Sequence, residues 1–85
     1  WNEKNNKKYV ANVLIYTEKK SNLLLDIISK TTSLNVEIKR VNTINNSDYS
    51  VFDLDVLVED LEKLNKYINL IERLPYVNSA QRGDN

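Results

Sequence analysis

Residues 9–29 read YVANVLIYTEKKSNLLLDIIS, and the apolar period changes inside the run. From Tyr9, the odd positions Tyr9, Ala11, Val13 and Ile15 are apolar while Asn12 interrupts the even set, the alternation of a strand with its odd face inward. Beyond the polar joint Glu18-Lys19-Lys20-Ser21-Asn22, Leu24, Ile27, Ile28 and Leu34 follow near-helical spacing with Leu23 flanking them. Ser21 can cap this helix, which the spacing predicts over about residues 22–32. A strand, a tight loop and a helix are thus set in order, and the loop between them is a candidate regulatory site.

Working outward, residues 1–8 (WNEKNNKK) have no period and read as a linker or arm. Asn35 to Ile44 alternates again, but the apolar parity moves from even (Val36, Ile38) to odd (Val41) around Lys39-Arg40, as a β-bulge would require. Asn45-Asn46-Ser47-Asp48 is a run of turn formers leading into Tyr49–Val58, where Phe52, Leu54, Val56 and Val58 alternate with Asp53 and Asp55. These two strands read as an antiparallel hairpin. Asp60 is a natural cap for a second helix whose stripe is Leu61, Leu64, Ile68, Ile71 and Leu74, and Pro75 stops it. Tyr76 to Arg82 suffices for a last strand, and residues 83–85 read as a frayed tail.

The expected domain is therefore residues 9–82, in the order strand, helix, strand, strand, helix, strand. Each helix has one apolar stripe and each strand one clearly apolar face. Two helices on one face of a four-stranded antiparallel sheet bury all of these together, the α+β, ferredoxin-like βαββαβ arrangement. Val10, Leu14, Tyr16, Val51 and Leu57 are left on the other face, so a partner is expected to cover part of it, either a second copy or the rest of a parent chain.

Composition narrows the function. The 85 residues hold 12 basic and 12 acidic side chains, so no net field points to nucleic acid or an anionic membrane. Residues 1–43 are mildly basic, with eight Lys/Arg against four Asp/Glu, and residues 44–85 show the reverse. The absence of Cys and His removes disulfides, zinc fingers, thiol nucleophiles and imidazole catalysis, and is compatible with a cytoplasmic setting. No apolar run reaches membrane-spanning length. A chain that starts at Trp1 is expected to be a fragment whose work serves other domains.

No catalytic or metal constellation stands out, and no cofactor is expected. Ser21 has no activating base. Glu59, Asp60 and Glu62 suit a helix N-terminus and lack the glycine of a calcium loop. Asp53 and Asp55, roughly 7 Å apart along one strand face, read as solvated carboxylates. The single glycine, Gly83, leaves no phosphate-binding loop. An RNA-recognition sheet needs aromatics on its open face, whereas the third strand puts Asp53 and Asp55 there and Phe52 inside. Only a peripheral RNA contact through Lys7, Lys8, Lys19, Lys20, Lys39 and Arg40 is left.

Leu23-Leu24-Leu25-Asp26-Ile27 after a polar loop, Asn35-Val36 opening the next strand, Trp1 ahead of the first strand and Val77 to Arg82 near the end together resemble an ACT domain. They are most similar to the one at the C-terminus of RelA/SpoT-type (p)ppGpp synthetase/hydrolases, the GTP pyrophosphokinase family. Two departures lie in the loop: the family's Asp-Arg is Lys19-Lys20 here, and its glycine is Asn22, a residue that accepts a left-handed backbone. The resemblance implies a non-catalytic regulatory domain that biases (p)ppGpp synthesis and hydrolysis through contacts with other domains, the ribosome or a second copy. It also implies a small amino-acid site at Lys20, Ser21, Asn22, Leu23 and Leu24, near Asn35 and Val36. Sensing of an amino acid for another metabolic enzyme, or RNA contact, are the alternatives.

Overall fold

The computed structural model describes residues 8–19 and 22–83. The expected arm up to Lys7, Lys20, the Ser21 cap and residues 84–85 of the expected tail lie outside them. The elements are β1 (Tyr9–Glu18), α1 (Leu23–Ser33), β2 (Glu37–Asn45), β3 (Tyr49–Val58), α2 (Leu61–Glu72) and β4 (Val77–Arg82). The four strands form one antiparallel sheet in the order β2-β3-β1-β4, with both helices on one side, the ferredoxin-like arrangement.

Tight chain reversals fix this layout. Asn22 takes the N-cap position of α1 in the left-handed region, at φ 65°, and its side chain makes no capping bond. At the far end of α1, Asn35 is again left-handed at φ 61°. The Asn35 and Val36 amides donate to the Thr32 and Thr31 carbonyls, the paired bonds of a Schellman ending. This ending turns Asn35 and Val36 out of the expected second strand, so β2 starts at Glu37. The parity shift does become a bulge: Ile38 pairs with Val56 and Arg40 with Asp55, leaving Lys39 unpaired. Asp60 caps α2 by accepting from the Lys63 amide at 2.8 Å.

The core is Ala11, Val13 and Ile15 from β1, Phe52, Leu54, Val56 and Val58 from β3, and the helix residues Leu23, Ile27, Leu64, Tyr67, Ile68 and Ile71, joined by Val36 and Ala80. Leu23 is thus a core residue and not a flank, and Ile28 is only half-buried. In α2 the stripe starts one turn later than expected. Leu61, at the first helical position, is exposed, and Tyr67 lies in the stripe between Leu64 and Ile71. Tyr67 is tolerated there because its phenol oxygen meets Thr31 Oγ1 at 2.8 Å, and Thr31 also donates to the Ile27 carbonyl at 2.7 Å. Burial away from water still pushes the Tyr67 phenol pKa up, the Thr31 bond partly opposing it.

β4 ends at Arg82 as expected, and one further backbone bond follows it. The Gly83 amide donates to the Asn12 carbonyl at 2.9 Å, so Gly83 continues the pairing with β1 rather than fraying. A Cβ there would fall 1.9 Å from Asn12 Oδ1 and 2.9 Å from Leu14 Cγ, which explains a glycine at this close approach.

Candidate functional site

Two places carry functional candidates: the ends of α1 and the helix-free face of the sheet. At the N-terminal end of α1, Asn22 is exposed, Leu23 is buried and Leu24 is half-buried against the core. The loop beside them is tied to its neighbours. Lys19 Nζ donates to the Asn46 carbonyl at 2.8 Å, and the Glu18 amide donates to the Tyr76 carbonyl at 2.9 Å. Leu23 also helps line an open groove of about 450 Å³ that runs along α1 past Asp26, Ser29 and Lys30 and is closed on the other side by Leu74 and Pro75.

Asn35 and Val36 lie at the opposite end of the same helix. Eleven residues of α1 separate the two groups, about 16 Å at 1.5 Å per residue. One protomer therefore does not gather the expected ligand residues into one pocket. The cleft at Asn35 and Val36, completed by Lys8, Leu57, Val58, Glu59 and Lys63, measures about 20 Å³, enough for a water and too small for an amino acid.

The helix-free face is built by alternate residues of all four strands. Register places Val10, Asn12, Leu14 and Tyr16 of β1 opposite Leu57, Asp55, Asp53 and Val51 of β3, and these opposite Glu37, Arg40, Asn42 and Ile44 of β2. The apolar residues do not form one continuous face. Val10, 51% exposed, and half-buried Leu57 occupy one end. Leu14, Tyr16, Val51, Ile44 and Tyr49 occupy the other, with the Tyr16 and Tyr49 rings tilted 33° at 6.3 Å. Val51 was expected to be exposed and is buried, at 7%, because Tyr16 and Ile44 flank it across the sheet and Tyr49 lies two residues away. Ile44 of β2 and Tyr49 at the start of β3 belong to this patch as well, beyond the five residues expected on this face.

A polar belt separates the patches. Asn12 Nδ2 donates to Asp53 Oδ1, to Asp55 Oδ1 at 2.8 Å and, more weakly, to the Leu54 carbonyl at 3.3 Å. Arg40 Nε donates to Asp55 Oδ2 at 2.9 Å, and its Nη2 lies 3.7 Å from Asp53 Oδ2. Asp53 and Asp55, expected as solvated carboxylates, are instead tied down with side chains only 21% and 23% exposed. The Asn12 bond, then the Arg40 bond, holds the Asp55 carboxyl below the usual carboxylate range, and the Asp55 bond raises the Arg40 pKa. Both are therefore charged at neutral pH. The signal for Asn12 in the sequence was an amide in the middle of a β1 face otherwise rich in apolar residues, but its partners follow only from register.

Of the basic residues singled out for RNA contact, Arg40 is engaged in the belt, Lys39 with Glu37 at 3.7 Å and Lys19 with Asn46, while Lys7 and Lys20 lie outside the described residues. Phe52 is inside, and Asp53 and Asp55 are on the helix-free face. Among the described residues no group of three or more side chains could hold a metal ion, and no helix is long and apolar enough to cross a membrane.

A sheet of this order with both helices on one side and a helix-free face defines a ferredoxin-like module. A family model described as an ACT domain matches residues 5–82, and the chain belongs to that family. It is a regulatory domain and is not itself catalytic. No curated protein sequence matches the chain. Among solved structures, the crystal structure of the ACT domain from the GTP pyrophosphokinase of Chlorobium tepidum is similar at TM-score 0.77 and 16% identity, covering 89% of this chain and 99% of that one. Its solution structure gives TM-score 0.79 at 17% identity, covering 92% and 89%. A homoserine dehydrogenase from Thiobacillus denitrificans contains a similar domain, at TM-score 0.71 and 15% identity, covering 92% of this chain and 17% of that one. At such identities the likeness is one of fold.

Proposed function

We propose that this domain regulates a GTP pyrophosphokinase-type parent enzyme, shifting the balance of (p)ppGpp synthesis and hydrolysis by docking its helix-free sheet face against other parts of that enzyme. The observation that carries the reading is the two-patch face, which leaves Val10 exposed at one end, beside half-buried Leu57, and Ile44 and Tyr49 exposed at the other, beside half-buried Leu14 and Tyr16, unless something covers them. The similarity in fold to the Chlorobium tepidum domain, over nearly the whole of both chains, supports the choice of parent. The charged belt between the patches sets orientation: a partner must bring apolar anchors to both ends and hydrogen-bonding groups to the middle. The test is the parent enzyme with and without this domain, assayed for both activities. A changed ratio of synthesis to hydrolysis is the expected result, and a parent with neither activity refutes the reading.

A second reading, a small amino-acid ligand at Lys20 to Leu24, draws on the open groove beginning at Leu23, where Asp26 and Lys30 offer opposite charges beside the apolar Leu74 and Pro75. Asn35 and Val36 of the same protomer are too far away to share that ligand. Thermal shift with millimolar amino acids checks it, since a ligand bound to the native state raises the melting temperature. No shift with any of them removes this reading.

A further inference from the structure

The polar belt leaves one carboxylate oxygen without a donor. Both oxygens of Asp55 are served, Oδ1 by Asn12 at 2.8 Å and Oδ2 by Arg40 Nε at 2.9 Å. Asp53 accepts from Asn12 at Oδ1, but its Oδ2 has only Arg40 Nη2 at 3.7 Å, beyond hydrogen-bond reach. Among the described residues nothing else donates to it, and Asn42, its neighbour on β2, forms no such bond. The Asp53 side chain is nevertheless only 21% exposed, so water serves it poorly. Two carboxylates share one guanidinium, which leaves the belt with an excess of negative charge. The surrounding charges do not relieve it: Glu37, opposite Leu57, is matched by Lys39 at 3.7 Å, and Glu18, opposite Tyr49, is itself acidic. A part-buried carboxylate held in this way favours an incoming cation that can hydrogen-bond to it.

Resting on the docking proposed above, we infer that the occupant of the helix-free face is an amphipathic helix of about four turns, laid along β3, whose apolar stripe carries one Lys or Arg that donates to Asp53. A helix satisfies its own backbone, whereas a strand laid flat on a sheet face leaves its amides without partners. The spacing follows from the strand. On this face β3 presents Leu57, Asp55, Asp53 and Val51 in order. At about 3.4 Å per residue, Leu57 and Val51 are roughly 20 Å apart, with Asp53 roughly 14 Å from the first and 7 Å from the second. Val10 widens the first apolar end, and Tyr16 and Ile44 widen the second. At 1.5 Å per residue a helix covers that span in about 14 residues. Apolar anchors at i and i+14 then lie over the two ends on one stripe, and a cation at i+7 or i+11 falls within about 4 Å of the level of Asp53. A second copy set face to face is disfavoured, because it adds its own two carboxylates to these for only one more guanidinium. The phosphates of a nucleic acid meet the same negative excess.

The full parent enzyme carries the test. Benzoylphenylalanine in place of half-buried Tyr16 captures the occupant by photocrosslinking. The expected product is a segment with apolar residues at helical spacing and a Lys or Arg among them; a segment with no basic residue on its stripe overturns the inference. Asp53→Asn and Arg40→Gln then vary the charge, read by hydroxyl-radical labelling of Tyr16, Tyr49 and Leu57, with far-UV circular dichroism checking that each variant is folded. Asp53→Asn keeps the shape and removes the charge, so labelling rises several-fold, toward that of the isolated chain. Arg40→Gln removes the internal cation and strengthens the demand for one from the partner, so labelling stays at or below the wild-type level. Loss of fold does not produce opposite responses. Wild-type labelling in Asp53→Asn, or equal loosening in both variants, overturns the inference and leaves docking intact. A wild-type parent whose face labels like the isolated chain overturns docking, and this inference with it.

Discussion

Replacing Asn12 with alanine removes the one side chain that donates to both carboxylates of the polar belt. In the native sheet its Nδ2 serves Asp53 Oδ1 and Asp55 Oδ1, the latter at 2.8 Å. Hydrogen bonds to charged groups are worth about 1.5–3 kcal/mol net, more than neutral ones. Two such bonds do not simply add here, because side chains 21% and 23% exposed can be rehydrated once the amide is gone. A net loss of about 1–2 kcal/mol is therefore expected in urea denaturation of Asn12→Ala, without a change in slope. The pH dependence gives a sharper readout. The Asp55 carboxyl is held below its ordinary value first by Asn12 and then by Arg40, so the native state binds fewer protons than the unfolded chain as pH falls. Its contribution is complete above the unfolded pKa and is lost as pH drops through the lower native value. In Asn12→Ala the native pKa rises toward the unfolded one, so acid destabilises the variant less steeply than the wild type. Carboxyl carbon NMR titration of Asp55 follows this directly. An unchanged Asp55 titration in the variant would refute the argument that Asn12 sets the belt.

Other perturbations test the same structure elsewhere. Gly83→Ala drives a Cβ into Asn12 Oδ1; releasing the last backbone bond of β4 costs about 1 kcal/mol, less than breaking the belt, so the variant loses amide protection at position 83 while Asp55 titrates normally. Thr31→Val strands the buried Tyr67 hydroxyl and costs about 1–3 kcal/mol in chemical denaturation, whereas Thr31→Ser, which retains the hydroxyl, costs less. Asn22→Gly keeps the left-handed turn before α1 and leaves the melting temperature within a few degrees, while Asn22→Val is destabilised by about 1–2 kcal/mol. Equal stability of the Asn22 variants would remove the left-handed turn from the account.

The order of elements was readable because each rests on a local pattern: period two to Ile15, near-helical spacing after Asn22, Asp60 as a cap and Pro75 as a stop. Even the bulge was visible, since Val36 and Ile38 share a parity that Val41 breaks, and a bulge is what restores one face. The belt was not readable, because Asn12 lies 41 and 43 residues from its two carboxylates and nothing local says which strand faces it. Val51 misled for a similar reason. A face assigned from alternation is not exposed when Tyr16 and Ile44 sit beside it. The ligand residues came from the family resemblance, which does not say how they lie within one protomer; the length of α1 puts Asn22 and Asn35 at opposite ends. Gly83 read as a frayed tail because its role is a close approach to Asn12, which only the folded sheet creates.

The central claim is that the helix-free face of this regulatory domain is a docking surface for its parent. Hydroxyl-radical footprinting of the isolated chain and of the full parent enzyme tests it at Tyr16, Tyr49 and Leu57. These side chains lie on that face, while Leu25 and Leu61 on the exposed sides of the helices serve as internal references. The account predicts that labelling of Tyr16, Tyr49 and Leu57 falls several-fold in the parent while Leu25 and Leu61 label as before. Equal labelling of the three face residues in the isolated chain and in the parent would contradict it.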